Sequence, residues 1–397
     1  MAKAELNAAK SAKKDEFYTQ FVDIEKEMNA YLEYDENVFK DKTVLLPCDD
    51  PEWSNFTKYF AQNFQKFGLK KLVSTSYAPS VRSLREQPSL FEVESPIFDT
   101  EKSETRGKIF TVSRDVNNDR KIDVNDLEWD YLKGDGDFRS PELCQLRDES
   151  DIIVTNPPFS LFREFLAWII EGQKKFVILG NVNAVTYKEV FPLIMADRLW
   201  LGPTISSGDR EFQVPSTYPL TAAGTRIDED GNRFIRVKGV RWFTCLDHGR
   251  RHQPLSLMSM SDNKKFSKHK EVSGIGYKKY NNYDAIEVPF TDAIPSDYSG
   301  VMGVPITFLD KYSPDQFEIL GATQRGCHDA VPDTKKYDDY WEVRPDGSRT
   351  GSSGGKTNEN ANLEGNDGKK NYFINKKGHV IQSAYQRIFI RHRITQI

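Results

Sequence analysis

Four short apolar runs restrict the fold of this chain more than any other feature: "TVLLPC" (43–48), "KKLVSTSY" (70–77), "DIIVTN" (151–156) and "KKFVILGNV" (174–182). Strands buried on both faces read as continuous apolar runs, and parallel neighbours need crossover helices between them. Helical patterns do separate these runs, which predicts an α/β fold with a mostly parallel, twisted sheet. One of them, "SLFREFLAWIIEG" (160–172), reads as a helix with Ser160 as N-cap, Phe162, Phe165, Leu166 and Ile169 on its core face, and Gly172 as C-cap. Polar residues gather where the runs end: Asp49 and Asp50 after the first, Asn156 after the third, Asn181 and Asn183 after the fourth. Doubly wound sheets bind their ligands outside the carboxyl ends of strands.

The alternation stops near residue 230, where "DEDGNRFIRVKGVRWFTCL" reads as a hairpin with a polar turn. A chain of 397 residues exceeds what one core usually supports, so two domains are expected, 1–250 and 251–397. Residues 101–133 form a charged insertion in the first domain. Residues 343–371 are Gly/Ser/Asn-rich with almost no apolar side chains, and read as a long mobile loop in the second. No apolar run approaches the roughly 18 residues of a membrane span. The four cysteines show no ligand spacing, and the N-terminus lacks the apolar segment of a secretory signal, so a reducing cytoplasm is expected.

The net charge of -4 hides an asymmetry. Arg250, Arg251, Lys264, Lys265, Lys268, Lys270 and Lys279 cluster in one stretch, and Lys369, Lys370, Lys376, Lys377, Arg387, Arg391 and Arg393 in another. Aromatic residues interleave with both, among them Phe266, Tyr277, Tyr280 and Phe389.

The third run continues into Asn156-Pro157-Pro158-Phe159. Proline fixes its own φ and drives the preceding residue into extended backbone, so this is a rigid, non-helical corner. The Asn156 side-chain oxygen and the Pro157 carbonyl are acceptors that together suit the two hydrogens of an exocyclic amine. A nucleobase amine is a poor nucleophile because its lone pair is delocalised into the ring. Two fixed acceptors favour the localised geometry that attack requires, and Phe159 offers a π-face to the base.

"NPPF" after a buried strand resembles the catalytic motif of amino-methyltransferases. Together with "KKDEFYTQ", "CDDPEWSNFTKYF", "GDGDFRS" and "GVMGVPITFL", in order from about residue 13 to about 320, it makes the chain similar to EcoRI-type adenine-specific DNA methyltransferases. The resemblance implies a Rossmann-like methyltransferase fold, S-adenosylmethionine as cofactor, and methyl transfer to N6 of an adenine flipped out of double-stranded DNA. It implies that Cys48, Asp49 and Asp50 line the methionine part of the cofactor, although the loop departs from the common glycine-rich version. Phe17, Tyr18 and Thr19 become cofactor contacts, with Gln20 where the family motif usually has proline. Asp135 or Asp137 would accept from the cofactor's adenine amine, and Asn156 would border the cofactor as well as the target base. Asn181 and Asn183 either shape the adenine pocket or cap the next turn.

The same resemblance puts target recognition C-terminal, so Lys264, Lys265, Lys268, Arg391 and Arg393 become candidate DNA contacts. A cognate restriction endonuclease is the implied partner in the same system. Alternatives are a methyltransferase acting on cytosine N4 or on a protein glutamine, and a catalytically idle DNA-binding homologue. The intact Asn156 and the basic C-terminal region weigh against the last two. Separately, Asp115, Asn117, Asp119, Asp123 and Asp126 occupy positions 1, 3, 5, 9 and 12 of a loop resembling EF-hand and dockerin calcium sites. The loop departs from that pattern at Arg120, where glycine is expected, and at Asp126, which is shorter than the usual glutamate. No metal is needed for the proposed chemistry.

Overall fold

The computed structural model describes residues 18–49, 54–78, 97–117, 119, 121, 122, 124–206, 208–214, 220, 224–323, 331 and 333–393, except for the side chains of residues 124 and 356. The chain divides into two compact units, Met1–Ala184 with Leu199–Gly249, and Val185–Arg198 with Arg250–Ile397. Among the described residues no helix is long and apolar enough to cross a membrane.

The strands of the first unit are β1 (Thr43–Leu46), β2 (Lys71–Thr75), β3 (Lys108–Val112), β4 (Glu128–Tyr131), β5 (Ile152–Thr155), β6 (Lys175–Asn181), β7 (Trp200–Leu201), β8 (Asp209–Val214), β9 (Arg226–Ile227), β10 (Arg233–Lys238) and β11 (Val240–Thr244). An 8-stranded sheet runs in the order β4-β3-β2-β1-β5-β6-β11-β7, and β8-β10-β9 form a separate antiparallel sheet. All four apolar runs become strands, and they make its parallel centre, β2-β1-β5-β6. The sheet is mixed, however, and not mostly parallel. The insertion folds as the β3–β4 hairpin and adds to β2 antiparallel, while β11 and β7 close the other edge antiparallel. The expected hairpin with a polar turn is β9–β10.

Helix α1 (Phe21–Tyr34) buries Ile24, Glu27, Met28 and Tyr31 at helical spacing. Helix α2 (Asn55–Gln62) buries Phe56, Tyr59 and Phe60, and begins at Ser54, whose hydroxyl accepts from the Phe56 N–H at 3.1 Å. These faces share one core with Val44, Leu46, Ile152, Val154, Val177 and Trp242. Helix α3 (Pro141–Glu149) is capped by Ser140. Helix α4 (Phe162–Glu171) buries the four expected residues and ends at Gly172, but it starts later than Ser160. Residues 159–161 form a 3-10 turn and Leu161 takes the N-cap position without a side-chain bond, because the proline corner leaves the chain too tightly turned to enter an α-helix at once.

The second unit is mainly β: β12 (Ala285–Glu287), β13 (Val301–Pro305), β14 (Phe317–Ala322), β15 (Tyr340–Val343), β16 (Arg349–Ser353), β17 (Asn362–Glu364), β18 (Tyr372–Asn375), β19 (Val380–Ser383) and β20 (Arg387–His392). They form a 4-stranded sheet, β12-β13-β20-β14, and a 5-stranded one, β16-β15-β18-β19-β17. The stretch 343–371, expected as a long loop, therefore supplies β16 and β17. Gly347 and Gly365 make turns at positive φ, Gly351 takes a positive φ within β16, and buried Thr357 and Asn362 supply internal hydrogen bonds in place of apolar contacts.

Candidate active site

The order of the parallel strands reverses at β1, which lies between β2 and β5. That is the switch point at which open α/β sheets bind ligands. The turn after β1 is made by Cys48, whose φ of 68° is left-handed and costs a non-glycine residue roughly 1–2 kcal/mol. A glycine-rich loop would take this conformation freely.

Asp49 follows, only 7% exposed. Its Oδ1 accepts from the Ser54 hydroxyl at 2.7 Å and its Oδ2 from the Thr155 hydroxyl at 2.5 Å. Its N–H donates to the Thr75 carbonyl at 2.8 Å, and its own carbonyl accepts from the Ser74 hydroxyl. One residue thus ties together the ends of β1, β2 and β5 and the start of α2. The carboxylate expected to line the methionine part of the cofactor has both oxygens engaged within the protein. Ser54 and Thr155, which hold it, carry no motif of their own; only the cap position of Ser54 and the place of Thr155 next to Asn156 hint at them.

Asn156 is the residue after Thr155. It is half-buried, with its Oδ1 shielded from solvent, and Pro157 beside it is buried. The Pro158 carbonyl accepts from the Leu161 N–H at 2.9 Å, whereas among the described residues no hydrogen bond engages the Pro157 carbonyl. Phe159 is half-buried and packs against the unit's core, so its ring is held on one side.

The N-terminal motif reaches this region too. Tyr18 forms a two-way backbone bridge with Gln213 of β8, and the Thr19 carbonyl accepts from Asn55 Nδ2 at 2.8 Å. Thr19 is 4% exposed, and among the described residues its Oγ1 has no hydrogen-bond partner. Phe17 and Asp50 lie outside the described residues.

The "GDGDFRS" loop packs against the end of β2. The Ala78 N–H donates to the Asp135 carbonyl at 2.8 Å, and a Cβ on Gly136 would lie 2.1 Å from the Ser76 carbonyl oxygen, so only glycine fits. The two aspartates differ. Asp137 holds Arg139 with both oxygens, at 2.9 and 2.6 Å, and this hydrogen-bonded pairing raises the pKa of the guanidinium. The Asp135 carboxylate accepts only from the Asp137 N–H, at 3.0 Å, among the described residues.

Other expected residues are engaged elsewhere. Asn181 bridges the Lys238 carbonyl (3.1 Å) and the Asn183 N–H (3.0 Å), closing the turn after β6. In the acidic loop, buried Asp126 accepts from the Val116 and Asn117 N–H groups, and Asn117 and Asp119 cap the N–H groups of Asp119 and Lys121. These side chains bond to their own loop, and among the described residues no group of His, Cys, Asp and Glu is arranged to hold a metal ion. Asp115 belongs to the same loop, and Asp123 lies outside the described residues.

In the second unit, Lys264 and Lys265 are exposed on the last turn of α5 (Met260–Phe266), and Lys268 pairs with Asp292 at 2.7 Å. Arg391 pairs with Glu318 and Arg393 donates to the Pro314 carbonyl at 2.6 Å. Arg387 leaves the basic surface altogether. It is buried against Glu287 and Tyr280, where the hydrogen-bonded carboxylate outweighs the desolvation that opposes its charge.

Comparison with known proteins identifies the family. The family described as "Adenine-specific methyltransferase EcoRI" matches residues 5–393. The chain is 44% identical over 315 residues to the Type II methyltransferase M.EcoRI of Escherichia coli, covering 79% of this chain and 88% of that protein. It is 36% identical over 316 residues to the Type II methyltransferase M.MpnI of Mycoplasma pneumoniae, covering 79% of this chain and 84% of that one. No solved structure matches it.

Proposed function

This chain belongs to the adenine-specific EcoRI methyltransferase family and is a DNA adenine methyltransferase; from that premise we propose that Asn156 and Pro157 present the adenine amine for transfer and that the surrounding turns hold S-adenosylmethionine. The observation that carries this reading is the placing of Asn156 at the strand switch point, on a strand end fixed to the β1 turn through Thr155 and Asp49.

The residues present fit the cofactor. Thr19 offers a buried hydroxyl without a partner among the described residues, Cys48 turns the backbone at the end of β1, and Asp135 has acceptor capacity that Asp137 has given to Arg139. We therefore assign the cofactor's adenine amine to Asp135, with Tyr18, Thr19 and the Cys48 turn as further contacts. The cofactor supplies an electrophilic methyl group. Asp49 sets the loop and the catalytic strand from behind, through Ser54 and Thr155.

On the DNA side, the Asn156 side-chain oxygen and the Pro157 carbonyl each accept one hydrogen of adenine N6. This localises the nitrogen lone pair, and the amine releases one proton to solvent as it becomes methylated. Phe159 supplies the face on which the flipped base lies. No covalent bond between protein and base is involved.

Residues 251–397 are proposed as the target-recognition region, with Lys264, Lys265, Lys268, Arg391 and Arg393 toward DNA phosphates. The Type II names of the relatives support a cognate restriction endonuclease acting on the same DNA in the cytoplasm. The test is to incubate the protein with labelled S-adenosylmethionine and a random-sequence duplex pool, then map the modified base. N6-methyladenine in one sequence context is expected. Label on cytosine or on protein would overturn the assignment.

A further inference from the structure

Beyond the lysines, the second unit carries an apolar feature that phosphate binding leaves unexplained. Phe266 is 71% exposed and Ile275 is 62% exposed, among the largest exposures of any described apolar side chain. Both stand within "KKFSKHKEVSGIGYKK" (264–279), where lysines occupy 264, 265, 268, 270, 278 and 279 against the single acid Glu271. The fold brings the two ends of this stretch together: the Gly274 N–H donates to the Lys264 carbonyl at 2.8 Å, at the last turn of α5. Ile275 therefore sits beside the turn that bears Phe266.

The stretch is braced from below. Asn263 and Val272 are fully buried, and the Ser267 N–H donates to the Asn263 carbonyl at 3.0 Å. The His269 ring stacks on Phe290 with centroids 3.7 Å apart and bonds Asp292 at 2.7 Å, while Lys268 pairs with the same carboxylate. The Tyr277 hydroxyl donates to the Ala293 carbonyl at 2.6 Å. The ring at 266 is thus held out by a fixed frame amid concentrated positive charge. Charge of that sign and density fits a polyanion. An exposed aromatic among phosphate-binding lysines can reach the base stack, where apolar side chains prise steps apart.

We propose that Phe266, with Ile275 beside it, is an apolar wedge that this protein inserts into the base stack of duplex DNA. The inference rests on the reading of the C-terminal unit as the DNA-recognition region. The lysines on either side hold the backbone, and the ring contributes stacking without charge. Its energetic signature therefore differs from theirs, since losing a phosphate contact lowers the salt dependence of binding and losing a stacked ring does not.

The experiment compares wild type, Phe266→Ala, Phe266→Trp and Lys264→Ala on a duplex taken from the methylated members of the random pool. Dissociation constants are measured across a salt series, and duplex bending by energy transfer between end labels. Phe266→Ala should raise Kd roughly 5- to 150-fold, the equivalent of the usual 1–3 kcal/mol per stacked base, with the salt slope unchanged and bending reduced. Phe266→Trp should restore both. Lys264→Ala should reduce the slope by about one unit. Unaltered thermal unfolding and cofactor affinity serve as the folding controls. A steep wild-type salt slope with wild-type Kd and bending in Phe266→Ala would overturn the wedge alone. A flat slope in the wild type would remove the whole stretch from DNA, overturning the wedge and the recognition reading together.

Discussion

Replacing Thr155 by valine tests whether the catalytic strand is positioned from the β1 turn. The substitution keeps the β-branched shape at a fully buried site and deletes only the hydroxyl that donates to Asp49 Oδ2 at 2.5 Å, with the Pro47 carbonyl 2.7 Å away. A hydrogen bond to a charged group contributes about 1.5–3 kcal/mol, and here the carboxylate oxygen left behind is buried. At about 2–4 °C per kcal/mol for a unit of this size, the melting transition of the first unit should fall by about 3 to 12 °C. Asn156 is the next residue, so a released strand end shifts the acceptor proposed for the adenine amine. A displacement on the order of 1 Å costs about 100-fold in rate.

Turnover at saturating cofactor and DNA, measured well below the melting transition, should therefore drop by up to about 100-fold while cofactor affinity changes less. Thr155→Ser retains the donor and should recover most of the turnover. A valine variant with wild-type melting and turnover would refute the argument that Asp49 and Thr155 fix the geometry of Asn156.

Asn156→Ala should abolish methyl transfer and leave cofactor affinity, read by titration calorimetry, close to wild type, because the residue's chemistry serves the amine. Asp135→Ala should weaken cofactor binding roughly 10- to 150-fold, the equivalent of about 1.5–3 kcal/mol for a charged acceptor, whereas Asp137→Ala should release Arg139 and affect cofactor binding little. Equal losses in the two variants would refute the choice between them. Arg387→Met should destabilise the second unit by about 3–5 kcal/mol in denaturant titration, because it leaves Glu287 buried without its partner.

Much of this protein was legible in short stretches of sequence. The apolar runs at 43–48, 70–77, 151–156 and 174–182 all became strands, because a side chain that must be buried on either face of a strand is a local property. The proline corner after Asn156 was equally readable, since proline restricts φ whatever surrounds it. Local chemistry also misled. Ser160 has the right identity for a helix N-cap, yet the tight turn after the prolines moved the start to Phe162. The composition of 343–371 suggested a loop, but glycine turns and buried polar hydrogen bonds let it complete a sheet.

Tertiary structure alone decided which polar groups found partners. Asp49 and Thr155 are 106 residues apart and Glu287 and Arg387 are 100 apart, so no local pattern could report that one carboxylate bonds the end of β5 or that one tail arginine is buried. Nor could spacing distinguish Asp135 from Asp137, or show that Phe266 stands in solvent while Phe159 leans on the core. Periodicity and backbone restriction act over a few residues and can be read along the chain. Hydrogen-bond pairing and exposure depend on which distant segments the sheet brings side by side, and these exist only once the chain has folded.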